Sequence, residues 1–82
     1  MREQKQEPEY TNQARKFLRG LDELTERRII DGIEKIPEGD ITPYKSMPKF
    51  SRLRIGDFRI IYRWKNAEQI LVFKIGSRGQ IY

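Results

Sequence analysis

The sequence contains no cysteine and no histidine among its 82 residues. Without cysteine, a disulfide framework and a thiolate zinc site are both impossible, and without histidine another common metal ligand is missing. No stretch approaches the ~20 consecutive apolar residues of a membrane span, and the N-terminus has no apolar run typical of a secretion signal. We therefore expect a soluble cytoplasmic protein that uses neither a metal nor a cofactor.

The charge of the chain is unevenly distributed. The net charge is +5, but residues 1–44 carry eight Lys/Arg and ten Asp/Glu (−2), whereas residues 45–82 carry nine and two (+7). A chain of this length forms one domain with a single modest core, here expected to span residues 1–82. Positive charge gathered in one half indicates a polyanion or an acidic protein as the partner.

The basic half is organised around residues 51–64, S-R-L-R-I-G-D-F-R-I-I-Y-R-W. Its period of two predicts a β-hairpin, and Gly56-Asp57 suits a two-residue type II′ turn. This turn places Arg54 opposite Arg59, and the two like charges repel unless an anion binds over them. One face of the hairpin is apolar (Leu53, Ile55, Phe58, Ile60, Tyr62, Trp64), and the other carries Arg52, Arg54, Arg59 and Arg63.

A third strand is predicted at residues 69–75, which completes an antiparallel meander over residues 50–76. The simplest register sets Tyr62 opposite Leu71 and Ile60 opposite Phe73, so that Lys74 lies opposite Arg59. A cationic patch of Arg52, Arg54, Arg59 and Lys74 follows. Because the aromatic residues then face the core, we rank a generic RNA-binding module with exposed base-stacking rings lowest.

The N-terminal half reads as an edge strand or arm over residues 1–10, a helical hairpin over residues 11–36 and a loop over residues 38–49. Thr11 is the expected N-cap of the first helix. The apolar residues recur at helical spacing: Ala14, Phe17, Leu18 and Leu21, then Leu24, Ile29, Ile30, Ile33 and Ile36. We expect an α+β fold in which a two-helix hairpin covers one face of a small antiparallel sheet, in the order β-α-α-β-β-β.

Three pieces in this order resemble the RelE-type toxins of the RelE/ParE superfamily from bacterial toxin–antitoxin modules. They are A-x-x-F-L in the helices, R-L-R-I-G-D-F-R-I-I-Y in the hairpin, and a last strand that ends I-G-x-R-x-x-x-Y. The resemblance covers residues 11–82 and implies a microbial-ribonuclease-like fold. It also implies a toxin that enters the ribosomal A site, cleaves mRNA there and is silenced by an antitoxin.

The resemblance also implies the site residues. Arg52 and Arg54 match cationic strand positions of the family, and Arg59 matches the arginine of its "YR" step. Arg78 matches the arginine after the last strand, and Tyr82 matches the C-terminal tyrosine of the 77–82 tail. We expect Arg54, Arg59, Arg78 and Tyr82 to be catalytic. Four further cations are expected to bind the RNA backbone: Lys49, Arg52, Arg63 and Lys74.

These side chains can support RNA cleavage without a metal. Arginine stabilises a phosphorane well but is a poor base, so Tyr82, with its pKa lowered by nearby cations, is the candidate base. The partners expected are an acidic antitoxin, the ribosome and mRNA, with the toxin a monomer alone and a hetero-oligomer with its antitoxin. A ParE-like inhibitor of DNA gyrase and a degenerate toxin that binds only its antitoxin are the alternatives.

Overall fold

The computed structural model describes residues 8–77, which form two helices and five strands. In chain order these are β1 (Glu9–Tyr10), α1 (Asn12–Arg19), α2 (Glu23–Glu34), β2 (Asp40–Pro43), β3 (Ser51–Ile55), β4 (Phe58–Trp64) and β5 (Ile70–Ser77). The predicted α+β class is confirmed. Neither helix of the described range is long and apolar enough to cross a membrane.

The strands form one sheet in the order β1-β5-β4-β3-β2. β1 runs parallel to β5, with Glu9 beside Leu71 and Tyr10 beside Val72, whereas the other pairs are antiparallel. The sheet is therefore mixed, not purely antiparallel as expected. The chain must cross from β1 to β5 by way of the helices and three other strands, which makes this pairing hard to infer from local sequence.

Strand β2 lies inside the segment that was expected to be a loop. Its residues pair with β3, so that Ile41 lies beside Leu53 and Asp40 beside Arg54. The sequence D-I-T-P has one apolar residue and a proline, which gives a weak strand signal. Because β2 is an edge strand, Pro43 costs no hydrogen bond to a further strand.

The β3–β4 hairpin has the predicted register. Ile55 lies beside Phe58, Arg54 beside Arg59 and Leu53 beside Ile60. Gly56 has φ 58°, and no other type of residue in the described range has a positive φ, which fits a type II′ turn with glycine first.

The register of β4 with β5 differs from the prediction. Tyr62 lies beside Val72, one residue from its predicted partner, and the register shifts by one more residue between Ile61 and Tyr62, so that Ile60 lies beside Ile75. This shift leaves Phe73 as an extra residue on β5, as in a β-bulge. Lys74 consequently lies beside Ile61 and not beside Arg59.

Helix α1 is attached to β5 through polar side chains. Thr11 is the N-cap, as predicted: its Oγ1 accepts a hydrogen bond from the Ala14 amide at 3.3 Å and donates to the Phe73 carbonyl at 2.7 Å. The Gln13 amide group donates to the Ile75 carbonyl at 2.9 Å and accepts from the Ile75 amide at 3.0 Å. These contacts continue the edge pairing of β5 beyond the short β1.

The core lies between the helices and one face of the sheet. It contains Ala14, Leu18, Ile29, Ile33, Ile36, Leu53, Ile60, Tyr62, Ile70, Val72 and Ile75. Leu24, expected in the apolar stripe of α2, is 82% exposed, because it lies in the first turn beyond the edge of the core. Gly32 lets α2 approach β3: a Cβ atom there would lie 2.5 Å from Ile55 Cδ1.

Candidate functional site

The sheet face opposite the helices carries a row of charged side chains across three strands. Asp40 on β2 lies beside Arg54 on β3, which lies beside Arg59 on β4. Arg54 Nε is 3.3 Å from Asp40 Oδ2, and both side chains are 58% exposed. The expected pair of facing arginines is therefore present, and a carboxylate already neutralises one of its members.

Arg59 is the other member of this pair. Its Nη1 atom is buried and has no hydrogen-bond partner within the described part of the chain. On β5 its neighbour is Gly76, which offers no side chain. A buried guanidinium nitrogen without an acceptor is costly, so Arg59 is suited to receive an anionic oxygen from outside the protein.

Further cations lie on the same face, which we call the basic face and define by Arg52, Arg54, Arg59, Arg63 and Lys74. Arg52 on β3 and Lys74 on β5 lie on either side of Ile61 on β4. Arg63 is half-buried and donates through Nη1 to the Trp64 carbonyl at 3.3 Å. Lys49, also expected to bind the RNA backbone, is exposed in the segment before β3.

Two aromatic rings meet on the basic face. Phe50 precedes β3 and Phe73 lies on β5, and their ring centroids are 5.2 Å apart at an interplanar angle of 56°. Phe50 shares the strand alternation of Arg52 and is absent from the residues that pack on the core between sheet and helices. Phe73 is 38% exposed. The expectation that Phe73 faces the core is wrong, because the core residue Tyr62 pairs with Val72 and not with Leu71 as predicted, which turns Leu71 and Phe73 to the other face.

The ring pair also accounts for Ile61. This residue is 1% exposed yet does not belong to the main core, since it lies on the basic face between Arg59 and Arg63. Phe50 directly precedes β3 and Phe73 lies on β5, so rings that contact each other reach across β4, the strand between them. Phe50 and Phe73 are thus placed to cover Ile61 and to form with it a small apolar centre among the cations.

Two of the four expected catalytic residues, Arg78 and Tyr82, lie outside the described residues. Their approach to Arg54 and Arg59 stays a prediction. Residue Asp40 was missed because its segment was interpreted as a loop. The signal that could have identified it is Ile41, the apolar residue of that segment. Pairing Ile41 with the buried Leu53 places the preceding residue, Asp40, beside Arg54.

The tyrosines with perturbed titration lie away from the basic face. Burial, with a smaller contribution from the negative charge of Glu34, raises the pKa of Tyr10 to about 12. Burial also raises the pKa of Tyr62, against the effect of a hydrogen bond with Ser51. Both therefore stay protonated at neutral pH and neither is a candidate base. The described residues contain no group of three or more acidic side chains that could hold a metal ion.

The fold and the basic face define a small α+β protein with a cation-rich sheet face opposite its helices. Residues 9–82 match the family model described as "ParE toxin of type II toxin-antitoxin system, parDE". The chain therefore belongs to this toxin family, within the RelE/ParE superfamily to which its sequence pointed.

A solved structure has the same fold. It is the toxin–antitoxin complex RelBE2 from Mycobacterium tuberculosis, matched with a TM-score of 0.70 at 17% sequence identity over 87% of this chain and 95% of that chain. No curated protein matches the chain in sequence.

Proposed function

We propose that this toxin is a ribosome-dependent endoribonuclease that cleaves mRNA by attack of a 2′-OH on the adjacent phosphate. The observation that carries the proposal is Arg59, whose buried Nη1 lacks an acceptor in the described range and whose neighbour across the strands is a second arginine. A phosphate held between Arg54 and Arg59 would remove both the repulsion and the unsatisfied donor. The same two groups would stabilise the extra negative charge of the phosphorane.

The other cations are assigned to the RNA backbone. Lys74 and Arg52 lie two residue pairs from Arg59, on either side of Ile61. Arg63 follows on β4, and Lys49 lies ahead of β3. Together they extend positive charge along the basic face in the direction of β4. A backbone of successive phosphates is the polyanion that this arrangement suits.

The proton transfers are assigned to the C-terminal residues. Tyr82 is assigned to take the proton from the 2′-OH, for which it must be in its phenolate form. The 2′ oxygen then bonds to phosphorus and the bond to the 5′ oxygen breaks, giving a 2′,3′-cyclic phosphate and a 5′-OH. Arg78 stabilises the departing oxygen, which takes its proton from water. With no histidine in the chain, such a site is slow on free RNA, and a ribosome that aligns the three reacting atoms supplies the missing rate.

Primer extension on an mRNA translated in a purified system tests this proposal. Wild type, Arg59→Ala and Tyr82→Phe are added separately, with Lys65→Ala as a matched control, because Lys65 is ion-paired with Glu9 at 2.7 Å away from the basic face. We expect cleavage inside codons, and only when ribosomes are present. This cleavage should persist with Lys65→Ala and disappear with Arg59→Ala and Tyr82→Phe. No cleavage by the wild type would refute it.

A second candidate is an inhibitor of DNA gyrase that needs no catalytic residues. The match to a model of ParE toxins favours it, and so does the ion pair in which Asp40 occupies Arg54. A supercoiling assay separates the two functions: inhibition of gyrase by wild type and Tyr82→Phe alike, without mRNA cleavage, would establish this candidate.

The antitoxin is proposed to be an acidic protein that covers the basic face. The solved complex shows a toxin of this fold bound to its antitoxin, and the +7 charge of residues 45–82 favours an acidic partner here. We expect a hetero-oligomer in the cytoplasm whose affinity falls steeply with salt. An affinity independent of salt would count against the basic face as the anchor.

A further inference from the structure

We infer that the Phe50–Phe73 pair is a stacking platform for an RNA base next to the phosphate held by Arg59. This inference rests on the proposed function and adds a contact to a nucleobase, which phosphate-binding cations cannot make. Generic base stacking ranks lowest from sequence because Phe58, Tyr62, Trp64 and Phe73 all fall on the predicted core face. The observed pairing of Tyr62 with Val72 removes that objection for Phe73.

The position of the pair supports a role in binding. If the ring pair served only the stability of the fold, its task would be to exclude water from Ile61. Ile61 is only 1% exposed, yet Phe73 itself remains 38% exposed. Its ring therefore offers surface to solvent in the middle of the basic face, between cations on β3, β4 and β5. Single-stranded RNA presents both chemistries that match this surface, anionic phosphates and flat bases.

The spacing fits neighbouring parts of one nucleotide chain. Ile61, which lies beneath the rings, is two residues from Arg59 on β4, a distance of about 7 Å along a strand. Lys74 follows Phe73 directly and lies beside Ile61. A phosphate at Arg59 thus leaves the adjoining base within reach of Phe73, while the next phosphate passes near Lys74.

An acidic protein segment is the other occupant that the charge of this face admits. Its carboxylates would match the cations, but an acidic chain has no need of an exposed ring flanked by arginines. We therefore commit to RNA and let the experiment decide between the two. The test uses binding to RNA that cannot be cleaved, so that it does not depend on catalysis.

The probe is a fluorescein-labelled single strand of 2′-O-methyl RNA, compared by anisotropy with an abasic strand of the same length and phosphate number. Wild type should bind the base-containing strand roughly 5- to 150-fold more tightly, as expected for one stacked base. Phe73→Leu still covers Ile61 but has no ring, and should bind both strands as wild type binds the abasic one. Phe73→Tyr should keep the preference.

The matched control is Trp64→Leu, because Trp64 is similarly exposed at 41% but shows no ring contact in the described range and lies at the end of β4. It should keep the preference for bases. Thermal unfolding of each variant verifies the fold.

In a Trp64→Phe background, the fluorescence of Phe73→Trp should be quenched by the base-containing strand and not by the abasic one.

Equal affinity of the wild type for both strands would overturn the inference and assign the ring pair to a protein partner. Preserved discrimination in Phe73→Leu would overturn it as well. The proposed catalysis is tested separately. If the protein cleaves mRNA in the translation assay but shows no preference for the base-containing strand, only the stacking platform is refuted. If it shows that preference but does not cleave, only the nuclease activity is refuted.

Discussion

Replacing Arg59 by methionine should stabilise the fold while abolishing the proposed cleavage. Methionine keeps the unbranched stem of arginine and removes two unfavourable features of the native state. One is the repulsion between facing arginines on β3 and β4, worth roughly 0.2 to 1 kcal/mol. The other is the buried Nη1 without an acceptor in the described range, worth roughly 1 to 3 kcal/mol.

Together these features predict a gain of about 1 to 4 kcal/mol in the free energy of unfolding, or an increase of roughly 5 to 30 °C in Tm for a domain of this size. Urea denaturation followed by circular dichroism, in a buffer free of phosphate and sulfate, measures the gain. Arg63→Met is the matched control on the same strand and face. Arg63 lies beside Leu71 and donates to the Trp64 carbonyl, so this change should shift stability by less than about 0.5 kcal/mol.

Added sulfate provides a second readout of the same reasoning. An anion that binds only the folded protein raises its stability by mass action. The wild type and Arg63→Met should gain stability with sulfate, whereas Arg59→Met should gain much less. Our account of Arg59 as a preformed anion receptor is refuted if Arg59→Met is no more stable than Arg63→Met, or if sulfate stabilises both variants equally.

Three further predictions follow from other contacts. Gly32→Ala should destabilise the protein by no more than about 2 kcal/mol in urea denaturation, because its Cβ meets Ile55 Cδ1 while alanine gains about 1 kcal/mol over glycine inside a helix; with Ile55→Val, which lacks that atom, Gly32→Ala should no longer destabilise. Asp40→Asn should change stability by less than about 1 kcal/mol, since its ion pair is exposed, but should tighten RNA binding by freeing Arg54, and an unchanged affinity would contradict this. Burial keeps Tyr10 protonated in the folded state up to about pH 12, so stability should fall as pH rises from about 10 to 12; Tyr10→Phe should lose less stability over that range in alkaline unfolding followed by circular dichroism.

The features that the sequence predicts well are those with a local cause. The turn at Gly56-Asp57 sets the β3–β4 register, since glycine accepts the positive φ and every following pair is counted from there. The Thr11 cap and the apolar spacing of α1 are equally local. Consequently the facing arginines, the central feature of the site, are visible from the sequence alone.

The features that the sequence misses depend on contacts between distant segments. β2 is recognisable only beside β3, and with it Asp40, the partner of Arg54. The bulge on β5 leaves the alternation of residues before and after it intact, so that only the pairing with β4 reveals it. Arg78 and Tyr82 stay predictions because they lie beyond the described residues.

The pairing of β4 with β5 has consequences for charge as well as for the aromatic rings. In the register predicted from sequence, Lys74 lies beside Arg59 and adds a third cation to a pair that already repels. The observed register differs by one residue at Tyr62 and by two beyond the bulge, so that Lys74 lies beside Ile61 and Gly76 beside Arg59. This lowers the repulsion and removes any side chain from that side of the guanidinium. The same register places Phe73 on the basic face. The pairing of β5 thus leaves space for a phosphate at Arg59 and sets an aromatic ring within one nucleotide of it, which is why we place both contacts in a single RNA site.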